Sequence, residues 1–480
     1  MPEPCCPAGS WPLLIGGRPA GEREPYEIRC PWDGSPVGQV SRATPADLDQ
    51  AIALAADSFQ LTRRMPAHRR KSILQTVAAR MREAAEDFAR TLALEAAKPI
   101  RLARAEVERA IFTFDQAAEE AGRLPEESLA LDGFPAGEQH QALLIHLPIG
   151  PVAAITPFNF PLNLVAHKLA PAMAAGCPVV LKPASQTPLS SLKLARIIAS
   201  AGWPAGALTV LPMHSRDAGA LAEDRRFRLL TFTGSPEVGW ELKRRAVHQR
   251  VTLELGGNAG VIIHSDASLE KAVPKVVAGG FFFAGQSCIS VQRIFVHQDL
   301  HDRFVSLLLP AVRALRAGPP LDEAADLCCL ISPGDGDRVA GWFDEARQAG
   351  ARFLLGGEVA GARVAPTVIA GAHSGLKVNC REIFAPVVTI QPYASFDEAL
   401  EAVNQSEYGL QAGVFTNDAR LAWRAFQELE VGGVMINEAP TWRVDQMPYG
   451  GVKRSGFGRE GVRWAIQEMT EPRLLVTNFA

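Results

Sequence analysis

Four short clusters in the 480-residue chain carry side chains able to do chemistry. Phe282-Phe283-Ala284-Gly285-Gln286-Ser287-Cys288 sets a thiol at the end of a helix–loop turn, among small or polar residues that leave it accessible. A free thiol ionises near about pH 8.5, so a nucleophilic cysteine needs a base or an electropositive surrounding; taken alone, Cys288 also reads as a small buried hydrophobe. Thr252-Leu253-Glu254-Leu255-Gly256-Gly257-Asn258 places a carboxylate between two leucines at a strand end. Burial there raises its pKa toward neutrality, which suits a general base, and a structural salt bridge would use the same residue. In Thr156-Pro157-Phe158-Asn159-Phe160-Pro161 an amide is fixed between aromatics and prolines. It fits an oxyanion donor or the cap of a helix starting at Leu162. Phe232-Thr233-Gly234-Ser235-Pro236-Glu237-Val238-Gly239 reads as a strand-to-helix turn. Gly234 lets backbone approach a ligand, and the helix N-terminus favours a pyrophosphate, although an ordinary capped turn has the same pattern. The G-x-G-x-x-G dinucleotide fingerprint is absent.

The elements that must position these clusters are legible as an alternation. Residues 1–45 are rich in Pro and Gly and predict short strands and turns, whereas 46–121 are dominated by helix formers. Leu143 to Leu147 form a strand-like run. From Gly150 onward, apolar runs at 150–155, 178–181, 208–211 and 229–232 alternate with helical stretches at 162–175, 189–201 and a segment ending at Lys243. A second alternation places strands at 261–263 and 293–296 and helices at 269–283 and 302–316. Apolar strands alternating with helices imply βαβ units and a parallel sheet covered on both faces. The tail, Arg473 to Phe479, reads as an extended strand with nothing after it to cover it, an edge that invites pairing with another subunit.

Composition narrows the function. Apolar residues make up 47% and charged residues 21%, with a net charge of -3, which gives no electrostatic case for nucleic acid or an anionic membrane. A single core rarely exceeds roughly 250–300 residues, so several domains are expected. The eight cysteines (Cys5, Cys6, Cys30, Cys177, Cys288, Cys328, Cys329 and Cys380) are sparse and irregularly spaced, with no C-x-x-C motif. Reduced thiols in the cytoplasm are expected, with neither a disulfide framework nor a metal site. The start of the chain lacks the pattern of a signal peptide, and no apolar run is long enough to span a membrane.

In this order and spacing, the four clusters resemble the aldehyde dehydrogenase superfamily, over about residues 12 to 478. Leu181-Lys182-Pro183-Ala184-Ser185-Gln186-Thr187-Pro188, Arg381-Glu382-Ile383-Phe384-Ala385-Pro386-Val387 and Tyr449-Gly450-Gly451-Val452-Lys453-Arg454-Ser455-Gly456 extend the resemblance. The run Arg443-Val444-Asp445-Gln446-Met447-Pro448-Tyr449-Gly450-Gly451 is similar to the lactaldehyde and semialdehyde subgroup. The resemblance implies an α/β fold. A doubly wound cofactor domain would comprise residues 1–124 and 148–253, and a catalytic domain residues 254–446. A β extension from 125–147 and 465–480 would join subunits into a homodimer or homotetramer, with 447–464 returning between them.

The resemblance also implies roles. A Cys288 thiolate attacks the aldehyde carbonyl, and the oxyanion is held by Asn159 and the Cys288 N–H. Hydride leaves for NAD or NADP, and Glu254 activates the water that hydrolyses the thioester. The cofactor would lie against Thr156, Pro157, Phe158, Lys182, Ser185, Gly234, Ser235, Glu382 and Phe384. Ser185 stands where many NAD-specific relatives carry Glu, which removes repulsion against a 2′-phosphate and opens the site to NADP. Ser287 stands where relatives acting on phosphorylated aldehydes often carry Arg. Arg109, Trp442 and Arg443 are candidate substrate contacts, the two arginines being equally readable as surface ion pairs; His167 is read as a packing residue. Three rivals are weighed: a CoA-acylating relative, which often lacks the base that Glu254 supplies; a thiol hydrolase, which would need a histidine base; and a catalytically inactive dinucleotide-binding homologue.

Overall fold

The computed structural model describes residues 9–479, so Cys5, Cys6 and the start of the chain lie outside it. A six-stranded sheet takes the strands Leu208–Val210, Val179–Lys182, Val152–Ile155, Leu229–Thr233, Arg250–Glu254 and Gly456–Phe457, in that spatial order. The first five are parallel and the last antiparallel. Numbered along the chain, the parallel strands run 3-2-1-4-5. The order therefore reverses between Val152–Ile155 and Leu229–Thr233, and the crevice beyond the carboxyl ends at such a reversal is where open α/β sheets take ligands. The segments beginning at Thr156 and Gly234 flank this crevice.

Alternate residues of these strands feed two separate cores. Val152, Ala154, Val179 and Leu181 pack on one face, with helices Ala67–Glu83 and Ile100–Glu120. Ala153, Ile155, Val180, Leu230, Phe232 and Leu253 pack on the other, with helix Pro45–Thr62. Strands buried on both faces read as unbroken apolar runs because each face receives every second side chain.

Five residues after Glu254 the chain enters a seven-stranded sheet, ordered Arg352–Leu355, Thr367–Ala370, Val387–Tyr393, Val291–His297, Ala259–Ile263, Gln411–Phe415 and Gly433–Ile436. All its neighbours are parallel except the Arg352–Leu355 edge. Its strands start close to two of the sequence clusters: Cys288 lies three residues before Val291, and Glu382 five before Val387. A third, antiparallel sheet joins Glu126–Ala130, His140–Pro148 and Thr470–Asn478.

Boundaries differ from the sequence reading where special backbone intervenes. The helix expected over 269–283 ends as Leu269–Phe281, because Phe283 (φ 47°) and Ala284 (φ 53°) are left-handed. The helix expected over 302–316 is Gln298–Arg313, starting four residues earlier after the cap at His297. The long helical region resolves into four helices between Pro45 and Glu120. Among the described residues no helix is long and apolar enough to cross a membrane, and Cys30, Cys177, Cys288, Cys328, Cys329 and Cys380 are free thiols.

Helix Pro45–Thr62 starts with a capping box in which Thr44 and Asp47 bond each other's backbone N–H. Asp47 also takes a bidentate contact from Arg23, 2.9 and 2.7 Å, which holds its carboxyl down at about 2. A carboxylate depressed in the folded state stabilises it above the unfolded pKa and loses that contribution as pH falls through the folded one. Asp47→Asn should therefore cost on the order of 1–2 kcal/mol at neutral pH. Urea melts of both proteins should converge toward about pH 2; a difference that persists unchanged there would rule out the ionic cap.

Candidate active site

The crevice of the first sheet and the strand starts of the second enclose a cavity of about 890 Å³. Cys288, Glu254, Asn159, Pro157, Phe158, Gly234, Ser235, Glu382, Phe384, Arg109 and Arg443 all line it. Thr156, Lys182 and Ser185 lie off its wall on the same carboxyl edge of the first sheet, where the Thr156 N–H donates to the Lys182 carbonyl at 3.1 Å. Trp442, expected as a tunnel wall, is 48% exposed: its N–H closes a turn onto the Ala439 carbonyl at 3.0 Å, and its neighbours Thr441 and Arg443 face the cavity instead.

Close backbone packing brings the clusters together. A side-chain carbon on Gly257 would lie 2.0 Å from the Cys288 carbonyl oxygen, and one on Gly256 would lie 2.3 Å from Glu382 Oε2. At Gly257 the neighbour is backbone, so only glycine permits the approach; at Gly256 a side chain would displace the end of Glu382. Gly257 also donates its N–H to Glu382 Oε1 at 2.9 Å. Burial pushes the Glu382 carboxyl up to about 8. Phe384, left-handed at φ 51°, packs edge-on to Phe158 with ring centroids 5.9 Å apart.

The Cys288 thiol meets the Tyr449 hydroxyl at 3.0 Å. Burial pushes the thiol up to about 12, against the lowering pull of that hydroxyl. Asn159 is buried and donates Nδ2–H to the Gln286 carbonyl at 3.0 Å, two residues before the thiol, while its Oδ1 has no protein partner. Its own carbonyl accepts from Lys98 Nζ at 2.7 Å, and Lys98 is ion-paired with Glu106 in full burial. Glu106 Oε1 in turn accepts the N–H groups of Leu162 and Asn163 at 3.0 and 3.1 Å. These are the free donors at the start of helix Asn163–Ala175.

Glu254 is 2% exposed, and neither carboxylate oxygen has a hydrogen-bond partner. Burial, then the charge of Glu460, raises its pKa well above the ordinary carboxylate value. Glu460 accepts from Lys168 Nζ at 2.7 Å. Burial pushes Glu460 up, but Lys168 and the cations around it prevail and hold it low. The paired Lys168 and Glu460 thus leave Glu254 as the carboxyl poised to exchange a proton.

At the far wall Asp445 collects three partners: Arg109 through both carboxylate oxygens at 3.0 and 2.7 Å, His167 Nε2 at 2.8 Å and Asn163 Nδ2 at 3.3 Å. The Arg109 charge is therefore already compensated. His167, expected only to pack, is a hydrogen-bond donor kept neutral by burial and by Arg443. Arg443 differs from Arg109. Its guanidinium lies 3.6 Å over the Tyr449 ring, its Nε is buried without a partner, and among the described residues it makes no ion pair.

Sequence reasoning missed Lys98, Glu106, Lys168, Asp445, Glu460 and the Tyr449 hydroxyl. Only one carried a signal. Helix Asn163–Ala175 is apolar on all sides apart from Asn163, His167 and Lys168, and a charge in such a helix needs a buried partner.

The crevice also fits a dinucleotide. Thr156 and Thr233 present buried hydroxyls without protein partners, and Ser235 caps helix Pro236–Arg245 by backbone geometry without a side-chain bond. Lys182 faces no carboxylate, and burial brings its ammonium down to about 8. Fold and site together define a dinucleotide-dependent oxidoreductase built around a cysteine.

The comparisons with known proteins agree. A model of the aldehyde dehydrogenase family matches residues 18–475, and the chain belongs to that family. It is 43% identical over 468 residues to a 3-sulfolactaldehyde dehydrogenase of Priestia aryabhattai, covering 97% of this chain and 98% of that one. Its fold matches aldehyde dehydrogenase 21 of Physcomitrella patens, solved with the reaction product succinate, at a TM-score of 0.96 and 41% identity over 98% of both chains. It matches an NADP complex of NADP-dependent glyceraldehyde-3-phosphate dehydrogenase from Bacillus halodurans C-125 at 0.95 and 33%, over 98% of this chain and all of that one. The protein is an NAD(P)-dependent aldehyde dehydrogenase.

Both Cys288 and Glu254 have pKa values raised by burial, so the ionised fraction of each grows as pH rises. Initial rates of NAD(P)H formation should accordingly increase from about pH 6 to about pH 9. A profile that falls over this range would mean that neither ionised group limits the reaction.

Proposed function

We propose that this enzyme oxidises a small anionic aldehyde, carboxylated or sulfonated and often hydroxylated, to its acid. Lactaldehyde-like compounds and semialdehydes head the class. The observation that carries the reading is a single cavity lined by a thiol, an amide, an unpaired buried carboxyl and an uncompensated arginine. The Cys288 thiolate adds to the carbonyl carbon. The Asn159 amide and the Cys288 N–H hold the oxyanion, the preorganised contact that contributes most in acyl transfer. NAD or NADP, held by Thr156, Lys182, Ser185, Gly234, Ser235 and Glu382, supplies the two-electron oxidation when bound. Glu254 takes a proton from water as it attacks the resulting Cys288 thioester, and the Lys168–Glu460 pair sets the field in which that proton is held. Acid leaves and the thiolate is restored.

Three features support the finer parts. Arg443 lines the cavity with a charge that no carboxylate among the described residues pairs, its Nη2 resting 3.4 Å from His167 Nε2, whereas Arg109 is occupied by Asp445. Ser185 puts no carboxylate near Lys182, which supports use of both NAD and NADP. The exposed Leu474, Leu475 and Val476 on the edge strand Thr470–Asn478 support a homodimer or homotetramer joined by the extension formed by 125–147 and 465–480. On this reading residues 1–124 and 148–253 hold the dinucleotide and 254–446 carry the chemistry. The free thiols support a reducing compartment such as the cytoplasm.

The test is a panel of neutral, hydroxylated, carboxylated, sulfonated and phosphorylated aldehydes, each with NAD and NADP. Arg443→Gln should raise KM for the anionic members roughly ten- to a hundredfold and leave neutral ones within a few-fold. An equal effect on both would remove the arginine as the anion site. Glu254→Gln should preserve the first-turnover burst of reduced cofactor while slowing steady turnover by about a hundredfold or more. If turnover is untouched and CoA accelerates it, the CoA-acylating reading replaces this one.

A further inference from the structure

Resting on the reading of Cys288 as the nucleophile, we infer that Tyr449 is a catalytic residue whose phenol O–H donates to the Cys288 thiolate, made a stronger donor by the Arg443 guanidinium stacked on its ring. The hydroxyl lies 3.0 Å from Sγ. The ring is 4% exposed and, with Ile289 and Leu410, walls the thiol on its apolar side. The Tyr449 backbone is fixed by two hydrogen bonds exchanged with Glu460, N–H to carbonyl at 3.0 Å and 2.7 Å, and its buried ring is held between the apolar cluster and Arg443.

The direction of the bond follows from the charges around it. Burial opposes a phenolate most, and the thiol and Glu254 oppose it further against the pull of Arg443, so the phenol keeps its proton. Arg443 sits 3.6 Å above the ring centroid. A cation on the π face draws electron density from the ring and makes the O–H more acidic. The groups facing Cys288 are two carboxyls, Glu382 and Glu254, which disfavour a thiolate, and Arg443 and the Tyr449 O–H, which favour it. Of these only the O–H touches sulfur, and in a water-poor pocket a bond to an ionised atom counts for more than one to a neutral atom.

The same bond serves twice. It lowers the energy of the thiolate before addition to the aldehyde carbon. It acts again when the hydrolysing tetrahedral adduct breaks its C–S bond and the electron pair returns to sulfur. No proton is transferred from the phenol in either event, so Tyr449 emerges unchanged. Arg443 thereby has a second task beside anion binding.

The experiment is alkylation of Cys288 by iodoacetamide as a function of pH, followed by peptide mass on the full-length enzyme without aldehyde or cofactor. Tyr449→Phe keeps the ring and the stack and deletes only the hydroxyl. At about pH 8 it should react roughly tenfold more slowly than wild type. Its profile should be displaced to higher pH, while NAD(P) binding and near-UV circular dichroism match wild type and report an intact pocket. Superimposable profiles would overturn the proposal. Arg443→Gln should slow alkylation in the wild-type background and do so less in the Tyr449→Phe background; full additivity would remove the arginine from the proposal. Should Cys288→Ala retain aldehyde oxidation, the nucleophile assignment fails instead, and the alkylation result tells the two failures apart.

Discussion

The buried ion pair between Lys98 and Glu106 is the contact on which the geometry of the cavity depends. Such a pair contributes little to net stability, because removing two charges from water costs about as much as their attraction returns. What it does here is fix positions. Lys98 holds the Asn159 carbonyl and lies 4.0 Å from the Phe160 ring and 4.5 Å from the Phe283 ring, within the turn that leads to Cys288. Glu106 closes the open donors of helix Asn163–Ala175. That helix then distributes Asn163 and His167 to Asp445 and Lys168 to Glu460. Asn159, the turn before Cys288, Asp445 on the far wall and the Lys168–Glu460 pair are all referred to one salt bridge.

The two sheets meet this hub in opposite senses. The first presents the carboxyl ends of its strands, where Thr156 and Gly234 flank the reversal in strand order. The second presents its strand starts, where Cys288 and Glu382 sit just before Val291 and Val387. Glu254 ends the last parallel strand of one sheet and begins the crossing to the other, so the cavity it lines lies on the seam. Motion of one sheet against the other would alter the distance between a ligand on the first and the thiol on the second.

How much of this was legible follows from its range along the chain. The two alternations of strand and helix were readable because burial on both faces writes continuous apolar runs at local spacing. The four clusters were readable because each is local too, and Cys288, Glu254 and Asn159 do share one cavity. The network behind them was not. Arg109 meets Asp445 across 336 residues and Lys168 meets Glu460 across 292, and no local pattern encodes such pairs. The direction of single side chains was not legible either: Thr441 and Arg443 line the cavity while Trp442 between them is exposed, in a segment whose Trp442 N–H meets the Ala439 carbonyl.

The site also holds features that a purely stable protein would lack. Phe283, Ala284 and Phe384 are left-handed without being glycine, and Glu254 is buried with both oxygens unpartnered. Residues held in such conformations cost of order 1–3 kcal/mol each and persist only where the surroundings over-determine them. The surroundings do so here: Gly257 packs against the Cys288 carbonyl, and Gln286 accepts from Asn159 while its side chain holds the Cys329 carbonyl and the Ile331 N–H. Folding Glu254 into this place favours its neutral form, so its contribution to stability is greatest at low pH and is lost as pH rises through its raised pKa. The ionised form, the one the proposed general base would use, is thus the form the fold disfavours, and the Lys98–Glu106 pair with its helix holds the surrounding geometry in place against it.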